Sequence, residues 1–256
     1  MVHFVGAGPG AADLITVRGA ELLKAADVVV YAGSLVNPEL LKLCRPGTAV
    51  YDSSRMTLEQ IMEVICGAEA EAQMTVRLHT GDPGLYGAVR EQMDALDALG
   101  IPYHVTPGVS SFSAASAALK AEYTLPGISQ TLILSRMAGR TPVPEREMIP
   151  GLAAHGASMV LFLSSGLLRE LQEDLLKGAY SEETPAAIVY KASWPDEIVL
   201  RCTVGSLADT GEQHGIRKTA LVLVGDFLKG SGERSCLYHP DFSTMYRAAE
   251  KEGDGR

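Results

Sequence analysis

Gly81-Asp82-Pro83-Gly84-Leu85-Tyr86-Gly87 decides how this chain is read. The heptad follows a strand-like run, residues 74–79 (Met-Thr-Val-Arg-Leu-His), and precedes Val89, Met93, Leu96 and Leu99, apolar positions at helical spacing. Gly, Asp and Pro each favour turns for a different physical reason, so the segment predicts a strand–turn–helix passage. In an open α/β sheet such a turn ends a strand and faces the crevice where ligands bind. It would present backbone amides, one carboxylate and an aromatic ring there. An ordinary connecting turn has the same composition, so the heptad alone leaves both readings open.

The same alternation extends outward from the heptad. Short β-rich runs at 2–6, 27–31, 49–51, 74–79 and 103–106 alternate with helical patterns at 17–26, 38–43, 58–70 and 85–99. Thr57 and Gln60 have capping-box spacing before the third helix, and Gly100 ends the fourth. A further helix is expected over 110–119. This order predicts an α/β fold with a mostly parallel sheet covered on both faces.

Beyond residue 120 the pattern changes. Pro126-Gly127 reads as a connector, and strands are expected at 131–135, 158–163, 186–190, 198–203 and 220–224. Only two clear helices, 166–176 and 204–212, interrupt them, which predicts a mixed sheet in a second α/β domain. The expected organisation is a first domain over 1–121, a second over 122–235 and a polar tail over 236–256.

Composition narrows the function. The chain is 46% hydrophobic and 21% charged, as in ordinary globular proteins. Its net charge of −9 argues against nucleic acid as a partner, since that binding needs clustered Lys and Arg. Cys44, Cys66, Cys202 and Cys236 are far apart and form no metal-ligand pattern, so free thiols in a reducing cytoplasm are expected. No basic n-region with an apolar h-region opens the sequence, and no apolar run reaches membrane-spanning length. A cytoplasmic chain with no membrane partner is the expectation.

Gly6-x-Gly8-x-Gly10 after the first strand invites a dinucleotide-binding reading, with Ala11 at a position that tolerates alanine. That fingerprint also wants an acid near the end of the second strand, where this chain has Tyr31-Ala32-Gly33-Ser34. Pro9 removes an amide that would otherwise face a phosphate. The missing acid weighs most heavily, and a flavin or nicotinamide site is disfavoured.

Three segments besides the heptad carry a resemblance: Val5–Gly10 with Asp13 beyond it, Pro107–Ala115, and Tyr190-Lys191-Ala192-Ser193-Trp194-Pro195-Asp196-Glu197. Their order resembles the S-adenosylmethionine-dependent tetrapyrrole methyltransferases. The last segment, with Arg140-Thr141-Pro142-Val143-Pro144-Glu145, is similar to the branch that methylates carbon 11 of precorrin-4 or cobalt-precorrin-4 in cobalamin biosynthesis. The resemblance covers nearly the whole chain. It implies the tetrapyrrole methylase fold, two α/β domains with the cofactor cleft between them, and a homodimer. The nearest enzyme alternative is another tetrapyrrole methylase, such as a uroporphyrinogen III methyltransferase; a non-catalytic nucleotide- or tetrapyrrole-binding module is the alternative of another class.

The resemblance also implies a cofactor site for S-adenosyl-L-methionine, with no protein-bound metal. Pro9, Thr80, Gly81, Asp82, Leu85, Ser110 and Ser111 would line it, joined by Ser164, Ala192 and the backbone of Ala220 and Leu221. Ser164 and Ala192 are equally readable as small residues at strand ends, and Asp82 as a helix cap. Relatives carry an acid at the position of Ala11, so any role for that acid is void here, while Asp13 is retained. Methyl transfer from a sulfonium is a direct displacement with a neutral leaving group, so no nucleophile–base motif is needed. Alignment is the main requirement, and well-oriented reactants gain about 7–11 kcal/mol from it.

A precorrin carries several carboxylate arms, so an acidic chain needs local cations. Arg136, Arg140, Lys191, Arg217 and Lys218 are the candidates, and Arg140 and Lys191 stand out because they lie within the sharper motifs. Arg suits bidentate carboxylate binding, yet most Lys and Arg are solvated surface charges. Tyr86 and Asp13 complete the substrate candidates. No residue stands out as a general base, and His79 reads as a packed strand histidine.

Overall fold

The computed structural model describes residues 1–230 and 232–249. The described residues form two compact units: Met1–Ala118 with Val189–Val199, and Leu119–Ile188 with the described residues from Leu200 onward. The end of the expected tail, residues 250–256, lies outside the described residues.

The first unit holds a five-stranded sheet in the order β3-β2-β4-β1-β5. Its strands are β1 (Val2–Gly6), β2 (Val28–Tyr31), β3 (Ala49–Asp52), β4 (Thr75–His79) and β5 (Tyr103–Thr106), all paired parallel. The helices are α1 (Val17–Ala25), α2 (Leu58–Ala70), α3 (Arg90–Leu99) and α4 (Ser111–Leu119). Side-chain alternation splits the strands between two cores. Phe4, Val28 and Val30 pack with Ile61, Ile65 and Leu96 of α2 and α3 on one face, and Val5, Val29, Val76 and Leu78 pack with Leu23 of α1 on the other. The Thr57–Gln60 capping box forms as expected, and Gly100 closes α3 at φ 67°.

Two helical expectations are revised, the first in type and the second in length. Residues 38–43 form a 3₁₀-helix that starts with a proline, and the predicted helix over 85–99 begins only at Arg90. Tyr86 and Ala88 hold φ values of 54° and 48°, a left-handed conformation that a helix cannot accommodate.

The second unit's sheet runs β6-β7-β10-β8-β9, with β6 (Leu132–Arg136), β7 (Ser158–Phe162), β8 (Pro185–Tyr190), β9 (Ile198–Thr203) and β10 (Ala220–Val224). It is mixed, since β6 and β7 are parallel while β7 and β10 are antiparallel. Besides α6 (Leu168–Leu176) and α7 (Leu207–Gln213), a short α5 (Ile149–Ala153) appears with Pro150 in its first turn. No helix among the described residues is long and apolar enough to cross a membrane.

Candidate active site

β1 and β4 are neighbours, yet the chain leaves β1 toward β2 on one side and leaves β4 toward β5 on the other. In α/β sheets ligands bind at such a reversal, outside the carboxyl ends of the strands. Three glycine-containing loops meet there, following the adjacent strands β4, β1 and β5. Gly8 and Gly81 exchange backbone hydrogen bonds, Gly81 N–H to Gly8 C=O at 2.8 Å and Gly8 N–H to Gly81 C=O at 3.3 Å. A Cβ on Gly108 would stand 2.1 Å from the Gly81 oxygen, and one on Gly6 would stand 2.5 Å from the Gly108 Cα. Only bare backbone fits between these loops.

Asp82 ties two of them together, the loops after β4 and β5. One carboxylate oxygen accepts the N–H of Gly84 and the other that of Gly108, each at 2.8 Å. Gly81 lies beside Ser110 and Ser111, where a Cβ on it would make ordinary contact with the Ser110 Cα at 3.6 Å and the Ser111 nitrogen at 3.7 Å, while the Thr80 hydroxyl donates to the Leu35 carbonyl at 3.4 Å. Leu85 is half-buried, and its N–H reaches the Asp82 carbonyl at 3.2 Å. Tyr86 is 44% exposed. Asp13 is exposed in a 3₁₀-turn over Ala12–Leu14.

Val189–Val199 supplies the other wall of the glycine-rich loop. The Trp194 indole N–H donates to the Pro9 carbonyl at 3.2 Å, and the Ser193 hydroxyl accepts the Ala11 N–H at 3.0 Å. Buried Asn37 donates to the Gly10 carbonyl at 2.8 Å. None of these three contacts was foreseen, because each joins residues far apart in sequence. Ala192, expected near the cofactor, is buried in this segment. Lys191 pairs with Asp196 at 2.6 Å, which raises the lysine pKa, and lies over the rings of Tyr190 and Trp194. Its charge is already partnered, where the sequence left it between a substrate contact and a solvated surface charge.

Beneath the heptad, Arg77 is buried and held by the Gln92 side chain and the Val30 carbonyl. Burial lowers its pKa to about 10, so it stays charged at neutral pH. His79 is 4% exposed and stacks on Phe4. Burial first, and the nearby Arg77 charge second, push its pKa down to about 3. It is therefore a neutral packed imidazole, as the sequence suggested.

In the second unit the Ser164 hydroxyl is fully buried. It donates to the Phe162 carbonyl at 2.7 Å and accepts the Met137 N–H at 2.9 Å, so its hydrogen bonds serve the unit's own backbone. Ala220 and Leu221 lie buried at the start of β10. Arg136 donates to the carbonyls of Thr141 and Pro142 and so shapes the loop that carries Arg140. Arg140, Arg217 and Lys218 are exposed, with no hydrogen bond or ion pair among the described residues.

Residues 1–208 match the family model for tetrapyrrole (corrin/porphyrin) methylases. The chain is 45% identical over 252 residues to the cobalt-precorrin-4 C(11)-methyltransferase of Methanocaldococcus jannaschii, covering 98% of this chain and 97% of that one. Relatives in Mycobacterium tuberculosis (47% identical, covering 90% and 92%) and Pseudomonas aeruginosa (42%, covering 97% and 99%) are named precorrin-4 C(11)-methyltransferase, without cobalt. Among solved structures, a cobalamin biosynthetic enzyme, cobalt precorrin-4 methyltransferase, superposes with a TM-score of 0.87 at 46% identity, covering 89% of this chain and 95% of that one. The uroporphyrin-III C-methyl transferase of Thermus thermophilus, complexed with S-adenyl homocysteine, gives 0.74 at 27% identity, covering 91% and 95%.

Proposed function

The chain belongs to the tetrapyrrole (corrin/porphyrin) methylases, and on that premise we propose that it moves a methyl group from S-adenosyl-L-methionine to carbon 11 of precorrin-4 or its cobalt form, in cobalamin biosynthesis. The observation that carries the site is the meeting of three loops at the reversal point of the first sheet, at the ends of β4, β1 and β5. The names of relatives similar over the whole chain support the substrate.

The residues present suit the cofactor. Backbone groups, the small Ser110 and Ser111 and the apolar Leu85 offer neutral contacts to an adenosyl group and its amino-acid tail. Bound there, the sulfonium supplies an electrophilic methyl. The protein's part is alignment, worth about 7–11 kcal/mol when reacting atoms are well oriented. Asp82 gives the loops a fixed shape through its two amide contacts. Gly81 adds no side chain where the loops meet. Arg140, exposed and unpaired among the described residues, takes a carboxylate arm of the macrocycle in bidentate fashion. Lys191 contributes less, since Asp196 already partners it. The reading extends to a cytoplasmic homodimer; the four free thiols accord with a reducing compartment.

Incubating the purified chain with S-adenosylmethionine and either form of precorrin-4 tests the proposal. A product heavier by one methyl group at carbon 11, with matching S-adenosylhomocysteine, is expected. Methylation of uroporphyrinogen III instead, or cofactor binding without turnover, overturns it.

A further inference from the structure

Trp194 is the chain's one tryptophan, and it sits against the glycine-rich loop. Its indole donates to the carbonyl of Pro9, and it packs so closely on Gly10 that a Cβ there would lie 2.0 Å from its Cδ1. The neighbouring Ser193 hydroxyl accepts the Ala11 N–H at 3.0 Å. Three consecutive loop residues, Pro9 to Ala11, are thus held by two consecutive residues of the 189–199 segment. Asn37 fixes the Gly10 carbonyl as well.

The segment is built to hold that indole still. Its own backbone closes on itself, with the Trp194 N–H on the Lys191 carbonyl at 2.9 Å and the Glu197 N–H on the Trp194 carbonyl at 3.0 Å. The Glu197 carboxylate accepts the Ser193 N–H at 2.6 Å. Lys191, pinned by Asp196, lies 5.3 Å from the indole, within cation–π range. Lys191 and Ser193 hold left-handed φ values of 46° and 69°, a costly backbone sustained by these contacts.

We propose that Trp194 is a positioning residue: with Ser193 it sets the backbone of Pro9–Ala11 in the shape that receives S-adenosylmethionine, while Lys191 and Asp196 hold the indole. The inference rests on the proposed cofactor site and goes beyond it, because it makes the loop's shape depend on this remote segment. It also gives Lys191 a role through Trp194 in addition to any contact with substrate.

The lone tryptophan provides a direct readout. The full-length chain is titrated with S-adenosylhomocysteine while indole emission and heat are followed in parallel. Emission should change and saturate at the calorimetric Kd. Heat without any change in emission overturns the positioning role and leaves the cofactor site intact; no heat at all overturns both. Two variants add a kinetic test. Trp194→Phe keeps a ring over Gly10 but loses the N–H, and one neutral hydrogen bond corresponds to an increase of about two- to tenfold in KM for S-adenosylmethionine. Trp194→Ala should raise it further, with kcat and the KM for tetrapyrrole nearly unchanged in both. A parallel rise in both KM values, with no recovery from Ala to Phe, means the tryptophan only supports the fold and overturns the inference.

Discussion

The Asp82 carboxylate accepts the backbone N–H of Gly108 at 2.8 Å, joining the loop after β4 to the loop after β5 across 26 positions of sequence. With its second oxygen on Gly84, this one side chain ties two loops of the candidate site together. The aspartate readable from the sequence as a helix cap staples two loops instead.

Replacing Asp82 with Ala therefore leaves two amides without their carboxylate, the Gly84 one open to solvent and the Gly108 one half-buried. Hydrogen bonds to a charged group are worth about 1.5–3 kcal/mol each, discounted here by partial exposure, so a loss of about 2–3 kcal/mol is expected in urea unfolding. Asp82→Asn should restore less than half of it, because the amide nitrogen turns a donor toward a donor. A loss below about 0.5 kcal/mol for Ala, the size of an ordinary surface substitution, would show that the staple carries nothing.

Gly108 and Gly81 should answer differently to alanine. At Gly108 the added Cβ meets the Gly81 carbonyl oxygen at 2.1 Å, so backbone must shift and about 3 kcal/mol of stability should go. At Gly81 the Cβ finds room, but φ is 59°, a left-handed conformation that costs alanine about 1–2 kcal/mol. Gly81→Ala should thus fold and yet bind S-adenosylhomocysteine more weakly, because its methyl enters the space beside Ser110. Calorimetry and thermal unfolding of both variants separate the effects; wild-type affinity in Gly81→Ala would remove this loop from the site.

His79 makes the fold sensitive to acid. Its pKa falls from 6.5 to about 3 on folding, so between those values the unfolded chain binds the extra proton. The stability contributed by the neutral imidazole is whole above pH 6.5 and is lost as pH falls toward 3, at up to about 1.4 kcal/mol per unit. His79→Gln should unfold with a flatter pH dependence in that window, read from urea midpoints at pH 7.5, 6 and 5. Parallel curves for the two proteins would contradict the assignment.

Arg140 and Lys191 should differ as substrate contacts. Arg140→Ala is expected to weaken tetrapyrrole binding about ten- to hundredfold, the range of a charge-assisted hydrogen bond, with S-adenosylhomocysteine affinity unchanged. Lys191→Ala should cost less tetrapyrrole affinity, its ammonium being shared with Asp196. High salt should shrink the Arg140 effect. Equal losses of both ligands in Arg140→Ala would point to folding instead.

Local periodicity and turn chemistry made much legible in the sequence by itself: the alternating strands and helices of the first unit, the Thr57 cap, the stop at Gly100, the change to a mixed sheet and the resemblance that names the family. These features depend on near neighbours, and near neighbours are what a sequence displays. The Leu85–Val89 stretch escaped because apolar spacing cannot reveal the left-handed backbone at Tyr86 and Ala88. Tertiary structure alone decided that Asp82 grips Gly108, that Gly6 and Gly108 must be bare for three loops to meet, that Lys191 is paired, and that Trp194 reaches Pro9 from 185 positions away. Such contacts are set by strand order and by where the chain returns, which composition and spacing do not encode.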